Sequence, residues 1–166
     1  MYDKNDEYSK RIILDSTHVR EISRIIIHCT ASDFGDVRSI RLWHRMRGFR
    51  DIGYHYLILN GRRMPFGQYI ADEDGRIEPG RPWWQQGAHT KGENYDSLGI
   101  CLVGSPKLIG APEMWFTEKQ LESLKKLVAQ LMVEFDISAE KLHGHNEYAP
   151  KLCPGFRVES IRQWWQ

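Results

Sequence analysis

The sequence predicts an α/β fold, a single domain in which a central mixed β-sheet is flanked by helices. Apolar, β-branched runs at residues 22–29 and 97–103 have the length and composition of buried strands. Two segments, one starting at Val37 and one at Leu121, repeat their apolar residues at helical spacing. The chain of 166 residues is long enough for one domain with its own core.

The first half of the domain is expected to run strand, helix, strand. Residues 22–29 form the first strand, and residues 33–36 form a turn and a helix cap. The helix that follows carries an apolar side chain at every third position and ends before Gly48. Residues 53–59 are aromatic and β-branched, which predicts a second strand that stops at an Asn-Gly turn.

The second half is expected to contain another buried strand, the clearest helix and a short strand near its end. Residues 61–68 are predicted to be an exposed insertion, and Asp74-Gly75 a hairpin turn. Thr117 with Gln120 fits a capping box that starts the long helix. The remaining predicted elements are a buried strand at residues 97–103, a short strand or strand end at residues 141–144, and a short helix at residues 157–165.

Residues 1–20 are mostly polar, so we interpret them as a leader and place the folded domain at residues 21–166. The leader lacks the apolar stretch of a secretory signal. No apolar run in the chain approaches the ~18 residues that a membrane span requires. We therefore expect a protein without a membrane span that is synthesised in the cytoplasm without a signal peptide.

The charge and cysteine counts exclude several classes of protein. With 23 basic and 22 acidic side chains the net charge is +1, which gives no electrostatic footprint for nucleic acid. A small basic bias lies at residues 38–50, and we interpret its arginines as a solvated helix face. Three cysteines are too few, and odd in number, for a disulfide framework.

Histidine and cysteine residues offer candidates for a metal site. His28 ends a predicted buried strand, while His145 and Cys153 flank a stretch that Pro150 and Pro154 keep from forming a helix. A catalytic zinc takes three protein ligands of these types and keeps a fourth position open for water. The spacing from His145 to Cys153 is not a standard structural zinc signature. These residues alone therefore leave both a metal site and ordinary packing roles open.

Five blocks of sequence carry more information together than any one of them alone. They are IIHCTA at residues 26–31, DIGYHY at 51–56, GAHTKG at 87–92, SLGICLVG at 97–104 and GHNEYAPKLCP at 144–154. In this order they resemble the type 2 N-acetylmuramoyl-L-alanine amidases, which share a fold with the peptidoglycan recognition proteins. Within that family the likeness is greatest to the amidase-type lysozymes of T-odd coliphages, and it covers about residues 22–165.

The resemblance implies a ligand set and two catalytic residues. One Zn²⁺ per chain would be held by His28, His145 and Cys153. Lys151 would stabilise the oxyanion of the tetrahedral intermediate. Tyr54 would either hydrogen-bond the zinc-bound water or pass a proton to the leaving amine.

Other residues of the same blocks receive weaker assignments. His89 and Asn94 lie in a glycine-rich loop that the family places near the substrate, so the resemblance implies substrate contacts for both. His143 competes with His145 for the metal, because residues two apart on a strand share one face. The eight-residue offset between His145 and Cys153 matches the family block and favours His145.

The implied activity is zinc-dependent hydrolysis of the amide bond between N-acetylmuramic acid and L-alanine in peptidoglycan. We expect a monomeric phage or prophage endolysin that acts on the cell wall after release. A non-catalytic peptidoglycan-binding module is one alternative, although such family members typically lack the cysteine that is present here as Cys153. A cytoplasmic amidase that recycles wall fragments is another. A role in regulating a phage polymerase is disfavoured by the altered leader.

Overall fold

The computed structural model describes residues 20–166, so the predicted leader lies outside the described residues except for Arg20. Five strands form one sheet: β1 (Arg24–Cys29), β2 (Tyr56–Asn60), β3 (Asp74–Pro79), β4 (Ser97–Leu102) and β5 (Leu142–Gly144). Their order is β3-β2-β4-β1-β5. Strand β3 is antiparallel to β2 and the other pairs are parallel, which confirms the predicted mixed sheet.

Helices cover both faces of this sheet. Helix α1 (Val37–Met46) packs on the face that carries Leu57 and Leu59, and α2 (Glu118–Phe135) packs on the face that carries Ile25 and Ile27. Short 3₁₀ helices complete the described chain at Pro112–Met114, Ala139–Lys141, His145–Glu147 and Val158–Trp165. Among residues 20–166, no helix has the length and apolar character needed to cross a bilayer.

Both α-helices begin where the sequence places their caps. The Asp36 carboxylate accepts the backbone N–H of Ser39 at the start of α1. The Thr117 hydroxyl accepts the backbone N–H of Gln120 at the start of α2, as the capping-box pattern predicts. Gly48 follows α1 with φ +89°, the left-handed conformation in which glycine commonly ends a helix.

The predicted start of the second strand, at residue 53, is wrong by three residues. The N–H of Ala88 donates to the Gly53 carbonyl (3.0 Å), and the N–H of Arg81 donates to the Tyr54 carbonyl (2.9 Å). These carbonyls therefore accept hydrogen bonds from a neighbouring loop, and β2 begins only at Tyr56.

The predicted hairpin turn at Asp74-Gly75 is also wrong. Asp74 already pairs with Asn60 at the start of β3, and the turn lies at residues 71–73. Gly75 has φ +79°, and a Cβ there would lie 2.6 Å from the Lys119 carbonyl oxygen. This glycine permits close packing of β3 against α2 and does not reverse the chain.

Residues 61–68 are largely exposed, as predicted, but one side chain ties them to the domain. The Arg63 guanidinium pairs with Asp36 (2.6 Å), Glu73 (2.5 Å) and Glu78 (3.1 Å). The three carboxylates come from the cap of α1, the turn before β3 and β3 itself. The insertion is therefore held against the sheet edge by a network and not by an isolated surface pair.

The parallel strands determine where a site can form. Strand β1 lies between β4 and β5, and the carboxyl ends of all three meet at one edge of the sheet. In open α/β sheets, this edge is the usual position of a ligand-binding crevice. His28 is the fifth residue of β1, and β5 leads directly into the 3₁₀ turn that starts at His145.

Candidate active site

Three side chains from distant parts of the sequence meet at this edge. His28 Nδ1 lies 3.2 Å from His145 Nδ1 and 3.7 Å from Cys153 Sγ. The three ligand atoms all lie within 4.8 Å of one another. Such a group of two imidazoles and one thiol could hold a metal ion.

His143, the competing candidate, is engaged elsewhere. Its Nδ1 lies 2.8 Å from a carboxylate oxygen of Glu147, which also lies 3.8 Å from the Arg162 guanidinium. The ring of His143 packs against Tyr148 with 5.5 Å between centroids. The local fold thus brings His145, and not His143, to the group formed with His28 and Cys153.

The electrostatics of the two grouped imidazoles favour their neutral forms. Burial, followed by the neighbouring histidines and Lys151, lowers the pKa of His28 well below its ordinary value. Burial and Lys151 also lower the pKa of the half-buried His145. A neutral imidazole keeps a lone pair on one ring nitrogen, as metal ligation requires.

Cys153 is held in place by the end of β1. The backbone N–H of Cys29 donates to Cys153 Sγ over 3.2 Å. The Cys29 thiol and burial raise the pKa of Cys153 well above the usual value for a thiol. A bound cation reverses this preference, because a coordinating thiol loses its proton.

Tyr54, to which the family resemblance gives a catalytic role, lies beside this group. Its ring centroid is 5.2 Å from that of His28 and 5.3 Å from that of His44. Burial raises the pKa of Tyr54 well above its usual value, so the phenol keeps its proton at neutral pH. His44 also holds the backbone next to Tyr54, because its Nδ1 accepts the backbone N–H of Gly53 at 2.9 Å.

A cleft opens over the three grouped side chains. It is lined by Tyr54, His145 and Cys153, together with the exposed Lys151. Two further basic side chains, Arg47 and Lys91, complete its charged lining, and no described lining residue is acidic. The cleft is therefore electropositive and suited to a substrate that carries carboxylates.

The glycine-rich loop places its two predicted residues differently. Asn94 is half-buried, lines the cleft, and accepts the backbone N–H groups of His89 (2.8 Å) and Thr90 (2.9 Å) with Oδ1. His89 also reaches the cleft lining, but only 7% of it is exposed, and its Nδ1 lies 3.0 Å from His28 Nε2. Substrate contact by these two residues remains a prediction.

Arg20 fixes this loop to the sheet. It is 8% exposed, and burial lowers its pKa to about 10. Its guanidinium donates to backbone carbonyls before and after His89, namely those of Trp83, Gln85 (2.6 Å), Asn94 (3.2 Å), Tyr95 (2.8 Å) and Ser97 (2.7 Å). The loop that carries His89 and Asn94 is therefore anchored by a residue that the sequence interpretation had assigned to the leader.

Arg47 and Phe49 are among the cleft-lining residues that the sequence interpretation missed. Arg47, one of the arginines interpreted as a solvated helix face, is exposed but borders the cleft at the end of α1. Its guanidinium lies 5.5 Å from the centroid of the Phe49 ring, which also lines the cleft. The predicted helix end at Gly48 could have indicated a loop beside a site, but only the tertiary fold shows which loop.

Comparison with known proteins identifies the family to which a chain with this site belongs. A family model described as N-acetylmuramoyl-L-alanine amidase matches residues 18–156. The chain belongs to this amidase family. The endolysin of Klebsiella phage KP32 is 38% identical over 154 residues, covering 90% of this chain and 89% of the phage protein. The endolysin of Escherichia phage T7 is 36% identical over 145 residues, covering 86% and 84%.

Solved structures of an amidase and of a peptidoglycan recognition protein share the fold. The N-acetylmuramoyl-L-alanine amidase LysC from Clostridium intestinale superposes with a TM-score of 0.69 at 28% identity, over 86% of this chain and 84% of LysC. Drosophila PGRP-LB superposes with a TM-score of 0.66 at 27% identity, over 89% of this chain and 84% of PGRP-LB. The family and fold expected from the five sequence blocks are confirmed.

Proposed function

We propose that this amidase is a zinc-dependent endolysin that hydrolyses the bond between N-acetylmuramic acid and L-alanine in peptidoglycan. The observation that carries the proposal is the meeting of His28, His145 and Cys153 at the carboxyl edge of the parallel strands. Family membership supplies the reaction, and the phage endolysins among its relatives supply the biological setting.

The donor set fits zinc in both chemistry and size. Ligands at the usual Zn–N and Zn–S lengths, arranged tetrahedrally, stand about 3.3 Å apart for two nitrogens and about 3.6 Å apart for nitrogen and sulfur. The corresponding separations here are 3.2 Å and 3.7 Å. When bound, zinc supplies a water of lowered pKa and polarises the scissile carbonyl. His28, His145 and Cys153 would hold it.

Tyr54 would share or transfer a proton during hydrolysis. Adding water across the amide bond requires one proton to reach the departing alanine nitrogen. The Tyr54 phenol stays protonated and lies against the His28 ring. It can therefore donate a hydrogen bond to the reacting oxygen or relay a proton to the leaving group.

Lys151 supplies positive charge where the carbonyl oxygen becomes negative. It follows Pro150 in the loop that leads to Cys153 and lines the cleft beside both. Its charge is felt at the site, since it contributes to the lowered pKa values of His28 and His145. A fixed cation beside a developing oxyanion stabilises the transition state more than the ground state.

The charge of the cleft favours an acidic substrate. Its lining carries Arg47, Lys91 and Lys151 and no acidic side chain among the described residues. Peptidoglycan stem peptides carry carboxylates that these cations can pair with. The same cleft would be a poor match for a cationic or purely apolar ligand.

A matched histidine pair provides the test. His145→Gln should lose bound zinc and the release of peptides from sacculi, whereas His143→Gln, two residues away, should keep both. Elemental analysis reports the metal, and mass spectrometry of digested sacculi reports the bond that is cut. A metal-free His145→Gln protein with wild-type turnover would end the zinc mechanism.

The same assay separates the alternatives. An endolysin clears intact sacculi, whereas a recycling amidase cuts only soluble muropeptides. A non-catalytic module sediments together with sacculi in a pelleting experiment but releases no new amino termini from them. The presence of Cys153 within the ligand group favours catalysis over the binding module.

A further inference from the structure

We propose that His89 is a positioning residue that holds His28 in the tautomer whose Nδ1 is bare and available to the metal. This inference rests on the proposed zinc site and adds to it a residue outside the ligand set. Its basis is a chain of hydrogen bonds that runs from β4 through His89 to His28.

The contact between the two histidines is direct and buried. His89 Nδ1 lies 3.0 Å from His28 Nε2, and the rings meet edge to face with 5.0 Å between centroids. His28 is 1% exposed and His89 is 7% exposed. The hydrogen bond is thus shielded from water, where its geometry constrains both rings most strongly.

The proton positions follow from the far end of the chain. The Ser97 hydroxyl has one proton and donates it to the Glu93 carbonyl over 2.6 Å. Ser97 Oγ can then only accept from His89 Nε2, which lies 3.4 Å away. His89 Nε2 therefore carries the ring proton, and His89 Nδ1 is left as an acceptor.

The proton position on His89 determines the proton position on His28. A neutral imidazole carries a single ring proton, on either Nδ1 or Nε2. With His89 Nδ1 accepting, the proton of His28 must be on Nε2. His28 Nδ1 is then bare, and it is the nitrogen that faces His145 and Cys153.

Nearby groups support the same arrangement. Thr90 Oγ1 lies 3.2 Å from His89 Nδ1 and 3.4 Å from His28 Nε2, so it can donate to the first and accept from the second. On the other side of the ring, a Cβ at Gly99 would lie only 2.6 Å from His89 carbons. The ring of His89 is therefore packed between β4 and His28 and has little room to turn.

His89 has no ring nitrogen left for other chemistry in this arrangement. Nδ1 serves His28 and Nε2 serves Ser97. Partners of this kind fix the tautomer and orientation of a ligating histidine, and their loss typically weakens metal binding about 10- to 100-fold.

Two substitutions at His89 distinguish its hydrogen bond to His28 from the space that its side chain fills. His89→Leu fills the space but removes the acceptor, and zinc affinity measured by chelator competition should fall about 10- to 100-fold. His89→Gln offers an amide oxygen to His28 and an amide N–H to Ser97, and should recover most of that affinity. His55→Gln is the matched control, because His55 is equally buried, lies 5.7 Å from the His89 ring by centroids, and should leave zinc affinity unchanged.

Nitrogen-15 NMR of the imidazoles gives a readout that does not depend on activity. The wild-type protein without zinc should show His28 protonated at Nε2, and His89→Leu should show a mixture of tautomers. A wild-type His28 protonated at Nδ1 would overturn the proposal even if His89→Leu failed to fold. Unchanged zinc affinity and an unchanged His28 tautomer in folded His89→Leu would overturn it as well.

The two proposals can fail separately. If the wild-type protein shows the Nε2 tautomer of His28, lost in His89→Leu, but binds no zinc, the positioning role stands and the zinc mechanism falls. If zinc binds tightly and His28 shows no dependence on His89, the zinc mechanism stands and the positioning role falls.

Discussion

Gly99→Ala tests whether the site depends on close packing between β4 and His89. Gly99 lies in the middle of β4, opposite Ile26 of β1. A Cβ at this position would lie 2.6 Å from both Cγ and Cδ2 of the His89 ring. Because β4 is hydrogen-bonded on both sides, the strand cannot retreat and the ring must move toward His28.

The expected size of the effect follows from this overlap. Carbon atoms pack at about 3.5 Å or more, so the ring must withdraw by about 1 Å. Overpacking of this kind costs about 1–3 kcal/mol of unfolding free energy. For a chain of this length that lowers the Tm by about 2–12 °C. A displacement of about 1 Å at a catalytic site can lower activity by about 100-fold, and we expect a loss approaching that size here.

The assay is thermal unfolding together with dye release from labelled sacculi. Gly110→Ala is the matched control, since its Cβ would also meet an atom at 2.6 Å, but that atom is the sulfur of the flexible Met114 side chain. We expect the control to keep wild-type activity and a Tm within about 2 °C. Gly99→Ala with wild-type Tm and turnover would refute the packing of His89 described above.

Three further predictions concern catalysis, substrate binding and acid stability. Lys151→Ala should keep its zinc but lower kcat about 100-fold, because a charged oxyanion contact is lost. Arg47→Ala should raise KM about 2- to 5-fold in low salt and less in high salt, the scale of an exposed ion pair. Burial lowers the pKa of His55 to about 3, against about 6.5 in the unfolded chain. Below pH 6.5 the unfolded state therefore binds more protons than the folded state. Protonation of His55 in the unfolded chain alone lowers the unfolding free energy by about 4 kcal/mol between neutral pH and pH 3.

Each of these predictions has its own measurement and control. Elemental analysis and steady-state kinetics decide the role of Lys151, and unchanged kcat would reduce it to a surface side chain. Arg45→Ala, an exposed arginine of α1 outside the cleft lining, is the control for Arg47, and equal KM values for the two variants would contradict the carboxylate interaction. Urea unfolding at pH 7, 5 and 4 tests His55, and His55→Gln should show a shallower loss of stability than the wild type.

Patterns that act over a few residues predicted much of the fold correctly. The apolar runs of β1 and β4 are buried on both faces, so their sequences show no polar alternation. The capping boxes at Asp36 and Thr117 start their helices as expected, because a cap depends on side chains only three residues apart. Local chemistry of this kind is visible in a sequence.

The errors in the fold arise where distant backbone groups decide the outcome. Asp74-Gly75 has the composition of a hairpin turn, yet pairing between Asp74 and Asn60 moves the turn to residues 71–73. Likewise, the carbonyls of Gly53 and Tyr54 bond to a loop some 30 residues further along and delay the start of β2. Neither pairing leaves a signal in a short window of sequence.

The candidate site likewise contains residues that could be predicted from the sequence and contacts that could not. The resemblance to the amidases placed His28, His145 and Cys153 together, and the structure brings their ligand atoms within 4.8 Å. The contact between His28 and His89 spans 61 residues and depends on how a loop folds back over β4. The position of Arg47 at the cleft likewise depends on where α1 ends relative to β2.

Arg20 sets a practical limit on how this domain can be trimmed or fused. Five backbone carbonyls of the 83–97 segment share its guanidinium. A truncation that begins at residue 21 would leave those buried acceptors without their donor, at a cost of about 1–3 kcal/mol for each one that water cannot reach. Proteolysis between Arg20 and Glu21 would therefore loosen the loop that carries His89 and Asn94, although it would leave His28, His145 and Cys153 in the chain.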